Sequence, residues 1–240
     1  MFLITMAGLS SRFFKAGYTQ PKYKLKIHNE SVFSLATKSF LNYFKTDLFV
    51  FVIRDIYETE QFISEEIKNL GITNYKIVVL DAETRGQAET AYIALKQIDS
   101  EEQVTIFNID TFRYNYLKPE FTDHCDGYLE VFTAEGEHWS FIEAAPGKKV
   151  SRTTEKDRIS DLCSDGLYHF RHKDIFINVF EEALTHNELV RGEYYVAPLY
   201  NRLIQKGMDI RYDTITLEQI DFCGTPEEYR ALLEKQPRAN

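Results

Sequence analysis

Continuous apolar runs alternate with helical periodicity through the first half of the chain. Phe2–Met6, Leu48–Ile53, Lys76–Leu80 and Val104–Asn108 are rich in Val, Ile, Leu and Phe without polar alternation, so each predicts a buried strand. Ser31 stands as an N-cap for a helix running to about Phe44, with Phe33, Ala36, Phe40 and Phe44 on one face. Thr59–Leu70 predicts a helix closed by Gly71, and Gln87–Lys96 predicts another. Strands and helices in this order predict an α/β fold with a parallel sheet covered on both faces. The texture changes after residue 125. Tyr128–Thr133, Trp139–Ala144 and Gly166–Phe170 predict short strands, followed by helices over Lys173–Leu184 and Val196–Lys206 and a last strand near Asp209–Tyr212. No repeat, low-complexity tract or Pro/Gly/Ser-rich linker interrupts the chain, which predicts one domain over 1–240.

Composition narrows the classes. With 240 residues and 44% hydrophobic content, the chain can bury a sizeable core. A formal charge of −9 argues against a nucleic-acid partner. It does not argue against a small anionic ligand, because a few local cations decide such a site. The three cysteines, Cys125, Cys163 and Cys223, form no C-x-x-C pair, so neither a zinc site nor a disulfide framework is expected. The first apolar run is too short for a signal peptide or a membrane span, and no later stretch reaches about 18 apolar residues. The expected location is the cytoplasm.

Candidate chemistry begins in the opening loop. In an open parallel sheet, ligands bind at the carboxyl ends of strands. Ala7, Gly8, Leu9, Ser10 and Ser11 leave the first strand at that edge, and four of the five are small enough for the backbone to approach a ligand. Successive backbone N–H groups can form an anion-binding concavity. Arg12 adds a planar fork for phosphate oxygens and Lys22 a point charge. Together they suit a polyphosphate; the competing reading is an ordinary strand–helix turn with solvated charges. The loop matches neither G-x-x-x-x-G-K-[ST] nor G-x-G-x-x-G.

MAGLSSRF followed by PKYKL resembles the signature of bacterial sugar-1-phosphate nucleotidyltransferases, the NDP-sugar pyrophosphorylases. Ala7 replaces a usual glycine. LDAETRGQAETA (80–91) is similar to the base-binding loop of that family, and FNIDTF (107–112) to the strand end with its metal-binding aspartate. WSFIEA (139–144), SRTTEKDRISDLCSDGLYHF (151–170), GEYYVAPLYNRLI (192–204) and FCGTPEEY (222–229) follow in the family's order. The resemblance covers nearly the whole chain and is to a short form without a C-terminal β-helix. It implies a Rossmann-like three-layer α/β/α sandwich with a mostly parallel mixed sheet. Residues 1–125 would form the nucleotide-binding half and 126–240 the acceptor-binding half. The ligands implied are a nucleoside triphosphate, a phosphorylated sugar or polyol, and Mg²⁺; no membrane span is implied, and a homo-oligomer is compatible with it.

The resemblance also implies roles. Arg12 would hold the β- and γ-phosphates, Lys22 the α-phosphate, and Asp110 the Mg²⁺. Asp221 is the candidate second metal ligand, with Phe222 standing where the family has its aspartate. Asp81, Gly86 and Gln87 would line the base. Glu155 and Lys156 match the family's E-K pair, with Ser140, Gly166 and Glu193 beside the acceptor; Ser140 stands where glycine is frequent, which bears on a hexose acceptor. The six histidines lack metal-ligand spacing and are expected to be scaffold or surface. An attacking phosphate is already ionised, so no general base is needed. Asp81 replaces a glutamine frequent in relatives that use uridine or thymidine nucleotides. A carboxylate only accepts hydrogen bonds, which favours the amino group of cytosine and hence CTP, with UTP or dTTP as the alternative. A role in surface polysaccharide synthesis is implied by resemblance alone. Two other classes compete: a nucleotide-sugar glycosyltransferase, which would carry Asp-x-Asp where this chain has Asn108-Ile109-Asp110, and a non-catalytic nucleotide-binding regulator.

Overall fold

A computed structural model describes residues 1–100 and 102–236; residue 101 and the last four residues of the expected domain span lie outside the described residues. The backbone forms two compact units. The first comprises Phe2–Glu83, Phe107–Leu117 and the chain from Glu218 onward; the second comprises Met1, Thr84–Ile106 and Lys118–Leu217.

The first unit is built on β1 (Phe2–Thr5), β4 (Phe49–Ile53) and β5 (Tyr75–Val79), with β2 (Lys26–Ile27) and β3 (Glu30–Ser31) forming a separate small hairpin. β1 and β4 pair in parallel from Phe2↔Phe49 to Thr5↔Val52, and β4 and β5 from Phe49↔Tyr75 to Ile53↔Val79. β6 (Val104–Asn108) is divided between the units, Phe107 and Asn108 belonging to the first. The uninterrupted apolar character of β1 and β4 reflects burial on both faces. Ser31 caps α2 (Val32–Thr37), its side chain accepting the Ser34 N–H. The helix expected to reach Phe44 tightens to 3₁₀ over Lys38–Tyr43, and Phe40 leaves helical geometry (φ −110°, ψ 28°). At that point the Phe40 ring stacks on Phe2 at 4.3 Å and meets Phe107 edge-on at 5.0 Å. Packing, not propensity, sets the conformation there. α3 (Thr59–Leu70) ends at Gly71 in the left-handed region, as its sequence predicts. α1 (Ser11–Lys15), the antiparallel pair β7 (Thr111–Arg113) and β13 (Ile220–Phe222), and α7 (Pro226–Glu234) complete the unit.

The second unit contains α4 (Gln87–Leu95), β8 (Gly127–Thr133), β9 (Ser140–Ala145), β10 (Lys149–Glu155), β11 (Leu162–Phe170), α5 (Lys173–Thr185), α6 (Tyr200–Gln205) and β12 (Ile210–Thr214). Its strand order is β6-β11-β8-β12-β10-β9, and β9 pairs again with β11 through Cys163↔Phe141, closing a small ring. Only β8–β12 is parallel among these pairings. The sheet is therefore mixed, and the expectation of a mostly parallel one fits the first unit alone. The reason is local: β9 and β10 are joined by Pro146-Gly147-Lys148, too short for a parallel crossover. β10 itself escapes the apolar pattern because only Val150, Thr153 and Glu155 face inward. In the core, Tyr200 Oη donates to the Tyr128 and His169 carbonyls at 3.1 and 2.8 Å. Burial lowers the His169 pKa to about 3 and keeps the ring neutral against Thr105, a scaffold role.

Candidate active site

The Ala7–Ser10 loop follows the end of β1, where the Met6 N–H donates to the Val52 carbonyl. Ser10 takes the left-handed region (φ 54°, ψ 29°), turning the chain into α1. Its hydroxyl accepts the Lys22 N–H at 3.1 Å, so the loop holds the backbone of its own lysine. Gly8, Leu9, Ser11 and Arg12 are exposed. Among the described residues the Arg12 guanidinium has no hydrogen bond or ion pair, which leaves its full fork for a ligand. Lys22 is different: its Nζ meets Asp110 Oδ2 at 2.5 Å, with the two side chains 18% and 26% exposed.

Asp110 lies just past β6 and is enclosed by the segment before α7. Its carbonyl accepts the Cys223 N–H at 2.7 Å, and a Cβ on Gly224 would stand 3.2 Å from its Oδ2. Glu228 Oε2 accepts the N–H groups of Gly224 and Thr225 at 2.8 and 2.9 Å, while Thr225 Oγ1 accepts the Glu228 N–H. This capping box fixes the G-T-P segment against Asp110. Asp221 is not brought into that contact. It is 93% buried by side chain and binds Lys235 Nζ at 2.6 Å and Tyr114 Oη at 3.1 Å. In β13 Asp221 pairs with Phe112, and its neighbour Phe222, in the opposite strand phase, with Thr111.

The residues expected to line the base are divided between the units, Asp81 in the first and Gly86 and Gln87 in the second. Asp81 is exposed and has no hydrogen bond or ion pair among the described residues. Gly86 precedes α4 at φ 113°, and a Cβ there would lie 2.6 Å from the Tyr194 carbonyl oxygen. The Tyr194 N–H donates to Arg85 O at 2.5 Å, and the Ala88 N–H to Tyr194 O at 3.1 Å. Gly86 therefore permits two backbones to cross, and Gln87 opens the helix behind it. Gly86→Ala is expected to lower stability by about 1–3 kcal/mol, the cost of a strained backbone position, which a thermal melt would register.

The residues expected beside the acceptor all lie in the second unit. Glu155 is buried on β10, and the Ser140 hydroxyl donates to its Oε2. Burial pushes the Glu155 carboxyl up, against the lowering effects of Ser140 and Lys156. Lys156 Nζ lies 3.8 Å from Glu155 Oε1, donates to Tyr195 Oη and stands 4.5 Å above the Tyr195 ring. Burial and a hydrogen bond to Glu193 raise the Tyr195 phenol. Tyr168 Oη lies 3.3 Å from Ser140 Oγ. Tyr168 and Tyr195 were missed by sequence reasoning, although both stand inside quoted motifs. Gly166 sits at an irregularity of β11 with φ 95°, and its N–H is taken by Ser164 Oγ at 3.2 Å.

A solved nucleoside-diphosphate-sugar pyrophosphorylase from Vibrio cholerae RC9 is 47% identical, with a TM-score of 0.94, over 98% of this chain and 100% of that one. The chain belongs to the nucleoside-diphosphate-sugar pyrophosphorylases. This pyrophosphorylase is thus a nucleotidyltransferase, and its fold recurs in distant structures. A putative glucose-1-phosphate thymidylyltransferase from Bacillus anthracis aligns at TM-score 0.78 and 15% identity, covering 100% of this chain and 97% of that one. The inositol-1-phosphate CTP transferase from T. maritima aligns at TM-score 0.74 and 12% identity, covering 99% and 97%. No protein-family model and no curated protein matches the pyrophosphorylase. No helix among its described residues is long and apolar enough to cross a membrane.

Proposed function

We propose that the enzyme joins a nucleoside triphosphate, preferentially CTP, to a phosphorylated sugar or polyol and releases pyrophosphate. An acceptor phosphate oxygen attacks the α-phosphorus; the new P–O bond forms as the bond to the bridging α–β oxygen breaks, and pyrophosphate carries away the electron pair. Two anions must meet, so the work is positioning and charge neutralisation. The observation that carries this reading is the asymmetry of the two cations: Arg12 is free and exposed, while Lys22 is anchored on Asp110. Arg12 suits the β- and γ-phosphates, which depart. Lys22 suits the α-phosphate, which must be held in place. In the second unit Lys156 would meet the acceptor phosphate, and Glu155 and Glu193 its hydroxyls, with Ser140 holding Glu155 in place. We read residues 1–240 as one domain whose parallel part is Rossmann-like.

The donor set fits Mg²⁺ brought in with the nucleotide. Among the described residues no three His, Cys, Asp or Glu side chains converge, so no all-protein cage exists. Mg²⁺ needs none: one carboxylate, phosphate oxygens and water suffice. Asp110, partly exposed beside Lys22, would hold it, and Asp221 would not. When bound, the ion supplies charge neutralisation across the phosphates.

CTP is preferred because Asp81 keeps its carboxylate free to accept from an amino group. Wild-type turnover of CTP is expected to exceed that of UTP and dTTP by about tenfold, the low end of what one such contact discriminates, and Asp81→Gln to erase the gap. A wild type that prefers UTP or dTTP would overturn the base assignment and leave the transferase standing. The product is proposed to enter bacterial surface polysaccharide synthesis, on resemblance to compact relatives. Pyrophosphate release tests the whole reading, with CTP, UTP and dTTP each offered glucose 1-phosphate, inositol 1-phosphate and glycerol 3-phosphate. A glycosyltransferase or a non-catalytic regulator would release none.

A further inference from the structure

Tyr57 and Glu58, between β4 and α3, both occupy the left-handed region, at φ 59° and 53°. They are consecutive and neither is glycine, and no other two non-glycine residues in sequence do this among the described residues. Side chains at such positions are strained, and the conformation persists only where the surroundings over-determine it. The surroundings here are the residues that flank Lys22. Lys24 Nζ donates to the Tyr57 carbonyl and to the Glu58 carbonyl, the latter at 3.3 Å, and lies 5.2 Å above the Phe62 ring. Tyr23 Oη lies 2.6 Å from Thr59 Oγ1, whose hydroxyl donates to the Ile56 carbonyl. The Tyr57 ring, half exposed, packs at 5.2 Å on Phe14 of α1, two residues after Arg12.

Lys22, Tyr23 and Lys24 thus form one short 3₁₀ turn with divided tasks. The first faces Asp110, and the next two grip the strained segment. We infer that Lys24 and the strained Tyr57–Glu58 pair are positioning elements that fix the direction of the Lys22 ammonium. The inference rests on the role given to Lys22 in the proposed reaction. The strain has a physical use: a segment held away from its relaxed conformation by several bonds has little freedom to drift, and the turn bonded to it inherits that rigidity. Errors of about 1 Å in such a group can cost up to about a hundredfold in rate.

The test is a double-mutant cycle read by pyrophosphate release, using the fastest nucleotide and sugar-phosphate pair from the screen above. Lys24→Met keeps the stem over Phe62 and removes the donors. It is expected to lower kcat about tenfold with KM for the nucleotide changed less than about threefold, and Lys24→Arg to restore most of the loss. In a Lys22→Ala background, Lys24→Met should change kcat less than about twofold, because the group it positions is gone. Tyr57→Gly tests the backbone restraint itself: glycine leaves the left-handed region freely and loosens the segment, so kcat should fall although Lys24 and its donors are intact. Effects of Lys22 and Lys24 that multiply, or wild-type kcat in Lys24→Met or Tyr57→Gly, would overturn the positioning role and leave Lys22 catalytic. Wild-type kcat in Lys22→Ala would overturn the reading of Lys22 itself, and the positioning role with it.

Discussion

Asp110→Asn is expected to lose at least about a hundredfold in kcat with its melting transition intact, the effect of removing one preorganised electrostatic group. The change keeps the size of the side chain and its ability to accept from Lys22 Nζ. It removes the negative charge that would hold Mg²⁺, and a neutral amide oxygen is a poor ligand for a hard cation. A hundredfold loss corresponds to about 2.7 kcal/mol of transition-state stabilisation. The backbone should be unaffected, because the Asp110 carbonyl still accepts the Cys223 N–H and the Thr225–Glu228 capping box is untouched. EDTA should abolish the wild-type activity, and added Mg²⁺ should restore it. Full turnover in Asp110→Asn would show that the metal assignment is mistaken.

Arg12 and Lys22 should separate into different kinetic phenotypes. Arg12 has no intramolecular partner to lose, so Arg12→Ala removes ligand contacts alone. Those contacts exist in the bound substrate and in the transition state alike, so KM for the nucleotide should rise about tenfold or more with a smaller change in kcat. Lys22→Ala removes charge at the reacting phosphate and also leaves Asp110 without its ion-pair partner. Its kcat should fall by about a hundredfold or more, exceeding any change in KM. Steady-state rates over a nucleotide titration distinguish the two. Small, equal effects from both would reduce the opening loop to a turn with solvated charges.

Much of this molecule was legible in the amino-acid sequence because the relevant forces are local. Short stretches dominated by Val, Ile, Leu and Phe marked β1, β4 and β6, which are buried over nearly their whole length. Ser31 and Gly71 announced helix ends because capping involves only the neighbouring turn. The order of the motifs, from the Ala7–Arg12 loop to Gly224-Thr225-Pro226, was sufficient for the family, since such motifs are read residue by residue along the chain. Tertiary structure decided what depends on partners distant along the chain. β10 is a strand because flanking strands pair with a polar sequence whose inward positions include Glu155. Asp221 is taken up by Lys235 and Tyr114, and nothing within Asp221-Phe222-Cys223 encodes that. Gly86 is fixed as glycine by the Tyr194 carbonyl, more than a hundred residues away. Two assemblies of strands made from interleaved segments arise for the same reason: a strand's sequence specifies which faces it buries, whereas its neighbours are chosen by the packing of the whole chain.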